Sequence, residues 1–139
     1  MHKTRYSENS LVIKVYTEEM GLRTYLARRS RGKKYGGSLF QHLSLLSLEV
    51  YDREGREINQ VREIAPAYSY INVPVDVHKS TILVFLNEVL YKCIKEETAD
   101  RELFGFVFNF LSDFDGTEKA VSNHHIYFLM ALSRYIGFF

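Results

Sequence analysis

The chain has 139 residues, of which 46% are hydrophobic and 25% charged, and its formal net charge is +1. This length fits one domain or two very small ones, and the composition is that of a globular protein able to bury a core. A single cysteine excludes an intramolecular disulfide and a cysteine-cluster metal site. No apolar run approaches the length of about 18 residues that a membrane span needs, and the start, MHKTRYSENS, is not a signal peptide. We therefore expect a cytoplasmic protein.

The near-neutral total conceals two halves of opposite charge. Residues 1–70 carry twelve Lys and Arg against eight Asp and Glu, net +4, whereas residues 71–139 carry six against nine, net −3. The segment Gly21–Gly37, GLRTYLARRSRGKKYGG, has six cations and no acidic residue, and we call it the basic segment. Phosphates gain from counterion release and bases stack on rings, so cations beside tyrosines indicate a polyanion-binding surface. The alternative is a hairpin tip that its charges keep solvated.

The first half is predicted to be β, because short apolar and β-branched runs alternate with polar turns. The predicted strands cover residues 11–16, 22–28, 39–51 and 58–64. In the first of them, Leu11, Ile13 and Val15 share one face. Pro66 is expected to end the β part. Several short strands joined by hairpins indicate a meander or a small barrel.

The second half is predicted to be helical, with Asp76 as the first N-cap and Thr98 or Asp100 as the second. The predicted helices cover residues 77–95, about 101–116 and 118–135. The inward side of the third is assigned to Ile126, Leu129, Met130 and Ser133. The expected fold is α+β, with a small β-barrel in residues 1–70 and an α-helical bundle in residues 71–139. Segment 65–75 is expected to be a hinge between them.

The sequence carries no pattern of catalysis, cofactor binding or metal binding. His124 and His125 are adjacent, so on a helix they lie about 100° apart and cannot share a metal as an i, i+4 pair could. The D-x-D-G run at Asp113–Gly116 lacks the downstream glutamate of a calcium loop and is interpreted as a turn. Cys93 is interpreted as a core residue on a helix. We expect a protein that is not an enzyme and that has no cofactor.

The order of several motifs is similar to that of a known family. Y-x-E-N-S-L-V begins at Tyr6, T-x-E-x-G spans Thr17–Gly21, and A-R-x-x-R begins at Ala27. After the basic segment comes LFQHLSLLSLEVY at Leu39–Tyr51, and a helical half follows. This arrangement resembles the amino-terminal portion of the RecO family of bacterial recombination mediators. The apolar ending at Phe138 and Phe139 leads us to expect that further chain normally follows.

The resemblance implies an amino-terminal OB-fold, a small β-barrel, followed by an α-helical domain. It implies binding of single- and double-stranded DNA, annealing of complementary strands, and contacts with RecR and with the acidic carboxy-terminal tail of single-stranded DNA-binding protein. With RecR, such proteins help to load recombinase on coated single strands. They are non-catalytic, cytoplasmic and associated with the nucleoid. Some carry a zinc site in a part that has no counterpart here, so the sequence leaves zinc open.

The resemblance also implies which residues meet DNA. The implied DNA-binding residues are Arg23, Arg28, Arg29, Arg31, Lys33 and Lys34, with Lys3 and Arg5 as weaker candidates. Tyr25 and Tyr35 are either stacking rings or packing residues of the barrel. The family's short first strand is missing before His2, so we expect an exposed strand edge to promote a homodimer. The alternative function is a protein–protein adaptor whose basic surface binds an acidic peptide.

Overall fold

The computed structural model describes residues 2–7, 10–28, 42–51, 58–95, 99–117 and 124–136, which form five strands followed by three helices. The strands are β1 (His2–Ser7), β2 (Ser10–Thr17), β3 (Gly21–Arg28), β4 (Leu45–Tyr51) and β5 (Asn59–Tyr68). The helices are α1 (Val77–Cys93), α2 (Arg101–Gly116) and α3 (His124–Tyr135). The predicted α+β class, with strands before helices, is confirmed.

The strands form one mixed sheet in the order β1-β2-β3-β5-β4. Neighbours are antiparallel except β3 and β5, which run parallel and pair only at Tyr25 with Asn59 and at Leu26 with Gln60. A closed barrel requires its two outer strands to pair. In the described part of the chain β1 and β4 do not pair, and the two antiparallel ladders are joined by the short β3–β5 strip. The prediction of a closed barrel is therefore wrong for these residues, which form an open five-stranded sheet.

One face of the sheet carries its own apolar core, which we call the sheet core. Its buried members are Ile13, Tyr25, Ala27 and Val61. Leu11 and Val15 pack against them, so the alternation predicted for β2 is confirmed. The turn from β2 to β3 needs a glycine, since Gly21 has a φ of 71°. Thr17 closes this turn through its hydroxyl, which donates to the carbonyl oxygen of Gly21 at 2.7 Å.

Two strands differ from the prediction. β1 was not predicted, because HKTRYS lacks apolar alternation, yet it pairs with β2 from His2–Lys14 to Ser7–Ser10 as an edge strand. β5 continues past Pro66 to Tyr68. Among the described strands β4 is the one neighbour of β5 near Pro66, and a register shift lies beside the Leu46–Pro66 pair. A proline is tolerated at such an edge, because it withholds no hydrogen bond from a second neighbour.

The first two helices begin at caps that were predicted, whereas the predicted start of the third near residue 118 lies outside the described residues. The Asp76 carboxylate accepts hydrogen bonds from the backbone of His78 and Lys79 at 2.9 and 3.2 Å. Asp100 accepts one from Leu103 N at 3.0 Å, so Asp100, and not Thr98, caps α2. These bonds satisfy amide groups that have no partner within the helix. The predicted end of α2 at Gly116 is also confirmed.

The helices share a second apolar cluster, which we call the helical core. Its buried residues are Leu43, Val73, Leu83, Leu86, Leu90, Ile94, Leu103, Val107, Leu111, Phe114, Phe128 and Leu132. The predicted inward side of α3 is wrong, because Ile126 and Met130 are 50% and 60% exposed. Phe128 instead faces α2, with its ring 4.7 Å from that of Phe110, and this aromatic contact sets the rotation of α3. Cys93 is exposed and is not the core residue that was expected. The buried side of α1 continues from Leu90 to Ile94 instead.

Candidate nucleic-acid interface

The basic segment begins inside the sheet, on β3. Arg23 is half-buried, and its Nη1 donates to the carbonyl oxygen of Leu22 at 3.5 Å. Arg28 is the last residue of β3, with its backbone in register with Ser10. Five residues of extended chain separate these two positions, or about 17 Å. The structure therefore does not bring Arg23 and Arg28 together. The other members of the predicted set, Arg29, Arg31, Lys33, Lys34 and Tyr35, lie outside the described residues.

Tyr25 belongs to the sheet core. It is 2% exposed and lies opposite Ile13 of β2, on the face that it shares with Ala27. A ring this deeply buried cannot stack on a nucleic-acid base, so of the two roles left open by the sequence Tyr25 has the packing one. Its position could have been inferred from the pairing of β2 and β3, because Ile13 was already assigned to the inward face.

Lys3 and Arg5 lie on β1, in register with Ile13 and Leu11 of β2. β1 is at the edge of the sheet and is separated from β3 by β2. Neighbouring strands lie roughly 4.8 Å apart, so the backbone of β1 runs about 10 Å from that of β3. Through β2, Lys3 lies level with Tyr25 and Arg5 with Ala27, so Arg5 is nearer to the Arg28 end of β3 than to Arg23, and the basic positions of β1 and β3 do not adjoin.

The last residues of the connection from β3 to β4 are described from His42 onwards, and they contact the helical half. The Nδ2 of Asn87, on α1, donates to the Nδ1 of His42 at 3.1 Å. Leu43 is buried in the helical core, and its carbonyl oxygen accepts a hydrogen bond of 2.6 Å from the Tyr70 hydroxyl. We call these four residues the loop anchor. The predicted strand over residues 39–51 is wrong at His42 and Leu43, because β4 begins only at Leu45.

The Tyr70 hydroxyl, which donates to Leu43 in the loop anchor, keeps its proton. Burial is the main cause that raises its pKa well above the ordinary value for tyrosine, and the charge of Asp115 raises it further. The hydroxyl therefore stays protonated at any physiological pH. The sequence offered one signal of the anchor, an amide side chain at Asn87 among the apolar residues of α1, but nothing identified His42 as its partner.

Asp115 is the most connected polar residue that sequence reasoning missed. It is fully buried (0% exposed), and its carboxylate accepts four hydrogen bonds. The donors are the Tyr68 hydroxyl at 2.7 Å and the backbone amides of Ile71, Asn72 and Val73 at 2.8, 2.9 and 2.9 Å. The predicted turn at Asp113–Gly116 is wrong, because these residues form the last turn of α2, and Asp115 joins it to the connection that leaves the sheet. Segment 65–75 is not a free hinge, since Asp115 holds residues 71–73.

The bonds to Asp115 outweigh the cost of burying its charge. Burial by itself would raise the pKa of Asp115, but the amides of Ile71 and Val73 and the Tyr68 hydroxyl stabilise the ionised form, and the net pKa is lowered. The same hydrogen bond, with burial as a second cause, raises the pKa of Tyr68. The carboxylate is therefore ionised and the phenol protonated at neutral pH.

A buried lysine completes this junction. Lys79 of α1 is 4% exposed, and its Nζ donates to the carbonyl oxygens of Asp115 and Thr117 at 2.8 and 2.6 Å. These carbonyls lie at the carboxyl end of α2, where a cation also interacts favourably with the helix dipole. Tyr68, residues 71–73, Lys79 and Asp115, which we call the junction network, thus join β5, α1 and α2.

A cleft of about 430 Å³ lies between the sheet and the helices, lined mostly by apolar side chains of β2, β4, α1 and α2. Lys14, Glu18 and Glu19 are the charged residues that line it. In the described residues no group of three or more His, Cys, Asp and Glu side chains could hold a metal ion. Within the same residues, no helix has both the length and the apolar character needed to cross a membrane.

Comparison with known proteins gives the family. The profile described as Recombination protein O N terminal matches residues 1–70, and that described as Recombination protein O C terminal matches residues 74–139. Among curated proteins, the DNA repair protein RecO of Phocaeicola vulgatus is 31% identical over 141 residues, and that of Bacteroides fragilis is 32% identical over 141 residues. The RecO of Azobacteroides pseudotrichonymphae is 33% identical over 144 residues.

Each of these alignments covers 100% of this chain but 58% of the relative, so the chain spans a little over half the length of the curated proteins that it matches. Membership in a family of recombination proteins agrees with the expectation that the chain is not an enzyme. Two profiles match consecutive parts of the sequence, and the relatives align along all of it. The chain therefore belongs to the RecO family of DNA repair and recombination proteins.

Proposed function

We propose that this chain is a DNA-binding and strand-annealing module of recombinational repair, and that its basic segment is the DNA site. The observation that carries this proposal is the concentration of six cations without an acidic residue in Gly21–Gly37, in a chain whose net charge is only +1. Family membership supports the same function. The proposed contacts are Arg28, Arg29, Arg31, Lys33 and Lys34, with Tyr35 as a stacking ring and with Arg23, Lys3 and Arg5 as peripheral cations.

The sheet supports the proposal that residues 1–70 form a domain of the OB type and that residues 71–139 form a separate helical domain. It has five strands, and its outer strands are unpaired with each other in the described residues, as in a partly open barrel. In OB-folds the β2–β3 region commonly binds oligonucleotides. The basic segment begins on β3 and leaves the sheet at its end, which is consistent with this mode of binding.

The mechanism follows from electrostatics. The cations neutralise phosphates along a strand without reading its sequence, since phosphate contacts carry no sequence information. With part of the backbone charge neutralised, two complementary strands repel each other less, and pairing is faster. This action needs no catalytic group and no cofactor. We further propose that the full-length protein acts in the cytoplasm at the nucleoid, on single- and double-stranded DNA, and helps RecR to load recombinase on strands coated by single-stranded DNA-binding protein, whose acidic tail it contacts.

The first test is fluorescence anisotropy of a labelled single-stranded oligonucleotide titrated with this chain at two salt concentrations. With about four to five phosphates neutralised and a slope near −0.7 for each, affinity should fall roughly tenfold for each doubling of salt. An acidic peptide of equal length is the control for general attraction to negative charge. A shallow dependence on salt together with tighter binding of the peptide would contradict the DNA assignment.

We also propose that the open sheet edges allow two chains to pair. β1 and β4 each leave one edge without a strand partner in the described part of the sheet. Such an edge is a template for a further strand. Light scattering on a size-exclusion column should show a homodimer that becomes more populated as concentration rises. A mass that stays monomeric at the highest accessible concentration would refute this part of the proposal.

A further inference from the structure

The cleft between the sheet and the helices has the size and composition of a binding site. Its volume is about 430 Å³, within the range of roughly 300–1,000 Å³ that is typical of ligand pockets. It lies along the seam of the molecule, since residues of both the sheet core and the helical core line it. In sites with mostly apolar walls, a small number of polar groups decides which ligand is bound.

One wall of the cleft is aromatic and is built by contacts between β2 and α2. The ring of Tyr16 lies 5.9 Å from that of Phe104, which stacks on Phe108 at 6.1 Å. The Tyr16 hydroxyl donates to the carbonyl oxygen of Asp100 at 3.4 Å, which ties this ring to the start of α2. All three rings line the cleft, and we call them the aromatic wall. Aromatic faces attract both apolar groups and cations.

The charged groups that line the cleft differ in what they contact. Lys14 is already engaged, since its Nζ lies 5.3 Å from the centre of the Tyr91 ring on α1. Glu18 and Glu19 are exposed, and no hydrogen bond or ion pair involving the described residues holds either carboxylate. The charge that the cleft offers to a ligand is therefore negative.

The turn that carries these two carboxylates, between β2 and β3, is itself held by hydrogen bonds. The Thr17 hydroxyl accepts from the backbone amide of Met20 at 3.0 Å and donates to the carbonyl oxygen of Gly21 at 2.7 Å. Glu18 and Glu19 lie within this closed turn, directly after Tyr16 and Thr17 in the chain. A backbone that is ordered in advance lowers the entropy lost when a ligand binds.

We propose that the cleft is a docking site for a basic, apolar segment of a partner polypeptide, in which a lysine or arginine is flanked by apolar side chains. The apolar side chains occupy the cleft. The stem of the basic residue lies along the aromatic wall, and its cation meets Glu18 and Glu19. Phosphates and acidic peptides are disfavoured, because the same two carboxylates repel them. This inference does not rest on DNA binding by the basic segment.

The test uses two blocked tripeptides, one of leucine, lysine and phenylalanine and the other with glutamate in place of the lysine. Each is titrated at low salt into the isotope-labelled chain, and amide shifts in two-dimensional NMR spectra report where and how tightly it binds. The lysine peptide should bind about tenfold more tightly, since repulsion by two exposed carboxylates replaces attraction in the other peptide. The amides that shift should lie on the turn from Glu18 to Met20 and on α2 from Phe104 to Phe108.

Glu18→Gln combined with Glu19→Gln removes both carboxylates at exposed positions, so the fold should be unchanged. The preference of this variant for the lysine peptide should fall to about twofold or less. Glu49→Gln combined with Glu63→Gln is the matched control, because these exposed glutamates of β4 and β5 do not line the cleft and their loss changes the net charge equally. The control should keep the preference of the parent chain.

Equal binding of the two peptides by the parent chain, or binding of neither, would overturn the proposal. Shifts confined to residues away from the cleft would overturn it as well. A control variant that lost the preference to the same extent would show an effect of overall charge, and would also overturn it. DNA binding is tested separately by the oligonucleotide titration, so failure of one proposal is distinguishable from failure of the other.

Discussion

Replacing Asp115 with asparagine is expected to lower the free energy of unfolding by about 3 kcal/mol, because the charged acceptor is lost and one of its two oxygen positions becomes an amide nitrogen that cannot accept. Oδ1 accepts from Asn72 and Val73, and Oδ2 accepts from Tyr68 and Ile71. An amide nitrogen at the first position faces two backbone N–H groups, and at the second it faces the N–H of Ile71 while the Tyr68 hydroxyl can turn to accept from it. In either orientation at least one backbone amide loses its acceptor, and the remaining bonds are made to a neutral oxygen instead of a charged one. For a chain of this size the melting temperature should fall by roughly 10 °C. Urea denaturation followed by circular dichroism measures the change.

Asp113→Asn is the matched control for this substitution. Asp113 lies two residues earlier on α2 and is exposed, so the same chemical change there should alter stability by less than about 0.5 kcal/mol. Hydrogen exchange gives a second readout. The amides of residues 71–73 should lose protection in Asp115→Asn, while those near Leu86 stay protected. Equal stability of the two variants would mean that the junction network does not hold the connection.

The dependence on pH follows from the lowered pKa of Asp115. A carboxylate whose pKa is lower in the folded state stabilises the fold above its unfolded pKa, which is about 3.9, and this contribution is lost as pH falls through the folded value. Asp115→Asn has no such contribution at any pH. The difference in unfolding free energy between parent and variant should therefore be constant near neutral pH and should shrink below about pH 4. A difference that persisted at lower pH would exclude ionisation of Asp115 as its source.

Reversing the charges of Arg28 and Arg29 to glutamate should weaken binding of a single-stranded oligonucleotide by about 100-fold. Each substitution removes a phosphate contact and adds repulsion. The slope of log affinity against log salt concentration should become shallower, from about −3 to about −1.7, since two phosphate contacts are lost. Arg28 is the last residue of β3, and a charged side chain at the end of a strand is rarely needed for an apolar core, so we expect the double variant to fold. Anisotropy titrations at two salt concentrations measure both quantities.

The control for the charge reversal is Arg101→Glu with Arg134→Glu, a pair of exposed arginines in the helical half. This double variant has the same net charge as the first, so a loss caused by overall charge would appear in both. Equal affinity of the two double variants would refute the assignment of the site to the basic segment. Arg23→Ala provides a finer comparison, because Arg23 is half-buried and distant from Arg28, and its effect should be small.

Local signals in the sequence were sufficient for several elements. Asp76 and Asp100 precede apolar residues at helical spacing, and capping of an adjacent amide is decided within three or four residues of chain. Alternation in β2 likewise placed Ile13 in the sheet core, because side-chain direction in a strand has a period of two. The order of motifs from Tyr6 to Tyr51 was sufficient to indicate the family.

Contacts between distant residues decided the rest. The role of Asp115 depends on Tyr68 and on three amides more than 40 positions away, and no local pattern distinguishes this aspartate from its neighbour Asp113. The inward side of α3 was set by the ring of Phe128 against α2, which overrode the stripe through Ile126 and Met130. Closure of the barrel likewise depends on whether β1 and β4 meet, and local propensity contains no information about that.

The sequence by itself thus determined the family, a β half followed by a helical half, and the concentration of charge in the basic segment, because these depend on composition and on neighbours along the chain. The tertiary structure alone decided that Tyr25 is a core residue, that Asp115 and Lys79 join the two halves, and that Asn87 contacts His42. Each of these three depends on groups brought together from separate elements, where burial in the fold determines which polar atoms must find partners.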